Sequence, residues 1–160
     1  RMALEAANGV LQQAGSAQDA DRTEVHDHRV VDDATAGTVT IAHFDVVDAT
    51  GTLTDRVSSA EASHTIRRAV LELREQMWER HGAVTQFVGG DNAIAVCPSL
   101  TPSTLDSVND HVRETTGVEL QVGVGRGPTA HAAGDGAKHA LEHCRETGER
   151  IHAAFSLVER

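Results

Sequence analysis

The sequence predicts an α+β domain built on an antiparallel sheet with its helices packed on one face. Three observations predict it. Apolar runs and helix-period stripes alternate in the order β-α-β-β-α-β, with a further helix and a closing strand after them. The two middle strands are joined by Gly89-Gly90-Asp91-Asn92, a turn short enough to make them a hairpin. Each long helix is bounded by a capping residue before it or a glycine after it. That order is the ferredoxin-like split arrangement, in which the first strand and the hairpin are neighbours at the sheet centre.

Residues 2–13 have helix composition, with Leu4, Ala7 and Leu11 on one face. Gly15-Ser16 breaks the pattern, and polar helix resumes from Asp19 to His28. The chain opens on Arg1 directly in this helix-like sequence, as part of something longer. Residues 1–34 are therefore read as a helical linker and the tail of a preceding domain, and 35–160 as the domain proper.

Within it, residues 38–47 form the first core strand, and 48–58 a loop rich in Thr, Asp and Gly. Ser58 and Glu61 make a capping box, and the helix then runs to about His81-Gly82. Its stripe of Ala62, Ile66, Ala69, Val70, Leu73 and Met77 should pack on the sheet. The hairpin takes 83–88 and 92–97. Thr101, with Pro102 at the first helical position, opens a helix to Thr116, striped by Leu105, Val108 and Val112. A strand over 118–125 ends in Gly123 and Gly125, which suggests close approach of another backbone or a ligand. Pro128-Thr129 opens the last helix, to Thr147, with Ala132, Ala133, Ala137, Leu141 and Cys144 inward. Residues 151–158 make a closing strand.

Charge narrows the partners. The 24 acids outnumber 14 basic residues, of which only Lys138 is a lysine, for a net charge of −10. A phosphate backbone needs a basic footprint, so a nucleic-acid partner is not expected. An acid-rich, Lys-poor surface suits a high-salt cytoplasm, where screening removes much of the self-repulsion. No apolar run approaches the roughly 18 residues of a membrane span, so no membrane partner is expected. Cys97 and Cys144 have no metal-ligand spacing and read as buried free thiols in a reducing cytosol.

The chemistry concentrates at two stretches. The strand through Ala42-His43-Phe44-Asp45-Val46 ends in acids, and the hairpin presents Asp91 and Asn92 on a rigid mount. Two carboxylates held close repel unless a cation sits between them, and Mg²⁺ with substrate phosphates fits that outline. Asp45 and Gly89-Gly90-Asp91-Asn92 resemble the palm-type nucleotidyl cyclase domains, whose hairpin reads Gly-Gly-Asp/Glu-Glu-Phe. Phe-Val-Gly-Gly-Asp-Asn, Ala-His-Phe-Asp and the loop Thr50-Gly51-Thr52-Leu53-Thr54-Asp55 are closer still to archaeal-type GTP cyclohydrolase III. So is Gly15-Ser16-Ala17-Gln18-Asp19. The likeness runs from about residue 10 to 150.

The resemblance implies a palm domain that takes GTP, with Mg²⁺ as cofactor and room for a monovalent cation such as K⁺. It implies hydrolytic opening of the guanine imidazole ring to a formylamino-pyrimidine nucleotide, with phosphate released. Asp45, the Val46 carbonyl and Asp91 would hold the metal, with Asn92 beside them and Gly89 and Gly90 shaping the phosphate turn. Asp55 would accept hydrogen bonds from guanine, and Arg145 and Lys138 would meet the phosphates, with Arg126 and Arg150 as further candidates. The partners implied are a preceding palm domain of the same chain and a homo-oligomer. Asn92 departs from the cyclase pattern and speaks against cyclic dinucleotide synthesis. A nucleotidyl cyclase domain and a non-catalytic nucleotide-binding or assembly half remain as alternatives.

The ten histidines make no zinc pattern. His139 and His143 are four apart but lack the Glu of His-Glu-x-x-His. His26 and His28 diverge on a helix, and His43 is placed on the strand face opposite Asp45. No histidine is expected to bind a structural metal.

Overall fold

The computed structural model describes residues 37–47, 57–98 and 100–155. Five strands and three helices follow in order: β1 (Val39–Val46), α1 (Ser59–His81), β2 (Val84–Gly89), β3 (Asn92–Cys97), α2 (Pro102–Thr116), β4 (Leu120–Gly127), α3 (Ala130–Thr147) and β5 (Ile151–Ala153). The sheet order is β2-β3-β1-β4-β5, so β1 lies at its centre between the hairpin and β4. The α+β class and the ferredoxin-like order are those expected. The reading of residues 1–34 as a linker lies outside the described residues.

The helices start and stop where their capping chemistry says. Ser58 accepts from the Glu61 amide while Glu61 reaches back to the Ser58 amide, closing the capping box. Gly82 ends α1 in the left-handed conformation at φ 59°. The residues α1 buries are the six of its predicted stripe. Thr101 caps α2 with Pro102 following, and Thr129 caps α3.

Two features of the sheet differ from expectation. It is mixed, because β5 pairs parallel to β4, Val122 facing Ile151 and Val124 facing Ala153. Crossing back through α3 returns the chain in the β4 direction, which only a parallel ladder accepts. Helices also cover both faces. Ala42, Phe44, Val46, Val122 and Val124 join Leu73, Met77, Leu105 and Val112 in the main core under α1 and α2. Ile41 and Ile94 point the other way and pack on Ala133 and Ala137 of α3. The one-face arrangement thus holds for the βαββαβ unit, and α3 is an addition that seals its back. Along α3 the inward set is Ala133, Ala137, Ala140, Leu141 and Cys144, with Ala132 exposed.

Gly123 and Gly125 explain how α3 lies so close. A Cβ on Gly123 would come 2.8 Å from the Leu141 Cα and closer still to the Ala137 carbonyl oxygen. On Gly125 it would come 2.8 Å from the Gly136 carbonyl carbon and overlap Ala133 and Ala137 backbone. The close approach read from these glycines is to a helix backbone.

Cys97 and Cys144 are buried and free. Burial pushes the Cys97 thiol far up, and burial with the nearby Glu149 charge raises Cys144. Neither thiol should react with an aromatic disulfide reagent at pH 8 in the folded protein, and both should react in denaturant. Fast labelling of the native protein would contradict the packing. Among the described residues, no helix is long and apolar enough to cross a membrane.

Candidate active site

β1 and β3 bring the acids together through their register. Asp45 stands opposite Asn92, and the Val46 amide donates to the Asp91 carbonyl oxygen at 3.3 Å. The end of β1 is thereby tied to the tip of the hairpin. Gly89 and Gly90 hold φ at 114° and 66°, which a residue with a Cβ adopts only under strain. A shift of register between Phe87 and Gly89 twists the turn that carries Asp91.

Asp45 is 7% exposed. Arg145, in the last turn of α3, donates to its Oδ2 from Nε at 2.9 Å and from Nη2 at 2.6 Å. Both bonds fall on one oxygen. The other, Oδ1, is buried with no hydrogen-bond partner. Burial raises the Asp45 pKa above the ordinary carboxylate range; Arg145 opposes this, and the Asp91 carboxylate adds to it.

Asp91 is held by its neighbour. Asn92 Nδ2 donates to Asp91 Oδ1 at 2.8 Å, and Asn92 Oδ1 accepts from His43 Nε2 at 3.0 Å. An amide is the residue that can do both, accepting from an imidazole and donating to a carboxylate. An acid at 92 would instead set a third negative charge beside Asp45 and Asp91.

His43 lies with this group, contrary to the opposite-face placement. Residues two apart on a strand share a face, and His43 and Asp45 both point toward α3. Period-two alternation was signal enough to find it. Burial lowers the His43 pKa against the bond to Asn92, and the charges of Arg145 and Lys138 lower it further. The ring is therefore neutral near pH 7.

Of the proposed cations, Arg145 is inside the cluster. Lys138 stands seven residues before it, two turns along the same helix face, exposed and 3.9 Å from Glu142. Arg126 is elsewhere: it sits opposite Thr40 at the far end of β1, bonded to the Thr40 hydroxyl and stacked over Phe155. Arg150 is taken by Asp110 at 2.8 Å, with Asp106 at 3.8 Å. Asp55 lies outside the described residues. A concavity of 440 Å³ between α1 and β2, lined by Leu71, Arg74, Trp78 and Val84, is on the sheet face away from Asp45.

Asp45 and Asp91 bring two carboxylates together, and one oxygen of the pair is buried without a hydrogen-bond donor. This fits a hard cation such as Mg²⁺.

The GTP cyclohydrolase III family model matches residues 1–159. The chain is 55% identical to "GTP cyclohydrolase III 2" of Halobacterium salinarum, over 98% of this chain and 63% of that protein. It is 48% identical to GTP cyclohydrolase III of Halorubrum lacusprofundi, over 96% of this chain and 60% of that one. The chain thus spans roughly three fifths of the length of these curated relatives. Among solved structures it is similar to the GGDEF domain of DgcB from Caulobacter crescentus in complex with c-di-GMP. There the TM-score is 0.63 at 18% identity, over 77% of this chain and 81% of that one, a likeness of fold. A palm-like sheet with its acids at the centre, and a match along nearly all its length, identify the sequence: the chain belongs to the GTP cyclohydrolase III family.

Proposed function

We propose that Asp45, Asp91, Asn92 and Arg145 form the Mg²⁺–GTP site of a GTP cyclohydrolase that opens the guanine imidazole ring and releases phosphate. The observation that carries this reading is the buried, donorless Asp45 Oδ1 beside a second carboxylate, in a chain of this family. Mg²⁺ held there supplies charge neutralisation for the phosphates and a water of lowered pKa. Asp45, Asp91 and the Val46 carbonyl are its ligands in this reading, and a monovalent cation such as K⁺ is a further cofactor.

The residues around the acids divide the remaining work. His43 holds Asn92, and Asn92 orients Asp91 without adding charge. Gly89 and Gly90 let the backbone turn tightly where phosphates would lie. Arg145 and Lys138 share a face of α3 and offer cations to phosphate oxygens. Asp55 accepts from the N1–H and exocyclic amine of guanine. The complete enzyme joins this domain to a preceding palm domain of the same chain, assembles as a homo-oligomer and works in the cytoplasm, where GTP is supplied. The acid-rich composition agrees with relatives from halophilic archaea.

The test is incubation with GTP and Mg²⁺ in high salt, following the ultraviolet spectrum and released phosphate together. Loss of the purine spectrum with phosphate release, abolished in Asp91→Ala, supports ring opening. An unchanged spectrum with pyrophosphate release points to a nucleotidyl cyclase instead. Binding of GTP without turnover makes this domain a binding half that needs its partner domain.

Arg145→Ala gives a second check. It leaves a buried carboxylate without its counter-charge, which costs about 3–5 kcal/mol for a fully buried pair. Arg145 is 46% exposed on its side chain, so solvent screening reduces the expected loss to about 1–2 kcal/mol. Mg²⁺ should recover more of the melting temperature in this variant than in the parent, because it supplies the missing charge. Equal Mg²⁺ shifts in the two proteins would mean the metal does not use Asp45.

A further inference from the structure

At the C-terminal end of α3, just beside Arg145, three side chains from separate elements converge. His143 is in the last full turn of α3, Glu149 follows the left-handed cap Gly148, and His152 is the middle residue of β5. His152 Nδ1 lies 3.1 Å and His143 Nε2 3.6 Å from the same oxygen, Glu149 Oε2. All three donor atoms lie within 4.8 Å of one another, and the two imidazole centroids are 4.0 Å apart. We propose that His143, Glu149 and His152 form a transition-metal site, suited to Zn²⁺, that staples β5 to α3.

The geometry is close to what a tetrahedral ion requires. Zn²⁺ bonds of about 2.0–2.2 Å to His and carboxylate ligands place neighbouring ligand atoms about 3.4 Å apart. The two measured contacts to Glu149 bracket that spacing. The half-exposed setting leaves a fourth position for water, the arrangement of three-ligand zinc sites.

The backbone under the three ligands is already held. The Gly148 amide donates to the Cys144 carbonyl at 2.8 Å, and Glu149 N donates to the Thr147 hydroxyl at 3.2 Å. Gln121 Nε2 bridges the Cys144 and Glu149 carbonyls at 2.9 and 3.0 Å, tying the turn to β4. The Val122 amide donates to the Arg150 carbonyl at 2.9 Å where β5 begins. Such preorganisation is what separates a site from a chance cluster of polar groups.

Donor chemistry separates it from the acid pair at Asp45. Two imidazoles and one carboxylate favour Zn²⁺, Co²⁺ or Ni²⁺, whereas Mg²⁺ prefers an all-oxygen shell. The cysteines do not compete, since Cys144 Sγ is turned to the Val122 carbonyl and Cys97 is buried elsewhere. A clamp here has a use. β5 is three residues long at the edge of the sheet, and its ladder with β4 is only three pairs.

The test is Zn²⁺ titration by calorimetry of chelator-treated protein in excess Mg²⁺, which keeps the oxygen site occupied. One saturable Zn²⁺ per chain in the low-micromolar range or tighter is expected, with a rise of several degrees in melting temperature at a hundredfold excess over Kd. Co²⁺ should give the intense visible bands of a four-coordinate ion. His143→Gln and His152→Gln should each weaken Zn²⁺ binding at least about tenfold. Glu149→Gln, which keeps the shape and removes the charge, is the second probe should either histidine variant fold poorly. No saturable Zn²⁺ binding, or binding unchanged in all three variants, overturns the proposal.

Discussion

Replacing Asp45 by Asn is expected to remove Mg²⁺-dependent GTP binding while leaving the metal-free protein folded. The two halves of this expectation have different causes. Asp45 supplies the donorless buried oxygen of the acid pair, and an amide in its place carries no charge for a divalent cation. Turnover of the complete enzyme should fall by about 10²–10³-fold or more, the scale on which preorganised electrostatic groups act. Stability should fall only modestly, because burial and Asp91 oppose the charged form of this side chain in the folded state and the lost pair with the half-exposed Arg145 is screened by solvent. A raised folded-state pKa means the native protein holds the proton more tightly than the unfolded chain. That contribution is therefore fully present below the ordinary carboxylate range and is lost as pH rises through the raised value. Asn, permanently neutral, keeps what the protonated acid had. Thermal melts with and without Mg²⁺, beside GTP-binding isotherms, check both halves. Undiminished Mg²⁺ dependence in the variant would remove Asp45 from the metal site.

Gly125→Val is the substitution with the largest expected effect on the fold. The new side chain would meet helix backbone, namely the Ala133 carbonyl, the Ala137 amide and the Gly136 carbonyl carbon, where no rotamer change can help. Only displacement of α3 from the sheet relieves the overlap. That costs the packing of Ile41 and Ile94 on Ala133 and Ala137, and draws Arg145 away from Asp45. Overpacking normally costs about 1–3 kcal/mol, but a clash against fixed backbone belongs with losses above about 4 kcal/mol. Against a total stability of about 5–15 kcal/mol, most of the native population would be lost or loosened. Gly123→Ala, overlapping Ala137 and Leu141 backbone, should act in the same direction. Urea unfolding followed by circular dichroism is the measurement. A variant with the parent midpoint would mean that α3 does not lie where these glycines admit it.

Both expectations run through α3, and α3 is where reading the chain was hardest. Its start, its end and most of its apolar stripe were legible, because caps and 3.6-residue periodicity are local. Which sheet face it covers was not. A stripe of alanines says that a helix packs closely on something, and Gly123 and Gly125 say that something approaches β4. Only the fold joins the two statements.

The acid pair shows the same division. Asp45 and Asp91 were visible as acids at the ends of an apolar strand and a glycine turn, and the βαββαβ order was enough to make them neighbours. The partners they keep depended on side-chain direction. His43 joins Asn92 because strand side chains alternate with period two. Arg145 reaches Asp45 across 100 residues of sequence, because α3 returns over the back of β1.

By itself the sequence determined the elements, their order, their caps, the glycine turn of the hairpin and the residue types at the acid pair, since each is written in neighbouring residues. The tertiary structure alone decided the second covered face, the parallel edge strand, the single-oxygen pairing of Arg145 with Asp45, and the meeting of His143, Glu149 and His152. Each of those depends on how separate elements are packed against one another, and periodicity within one element carries no record of which neighbour it will face.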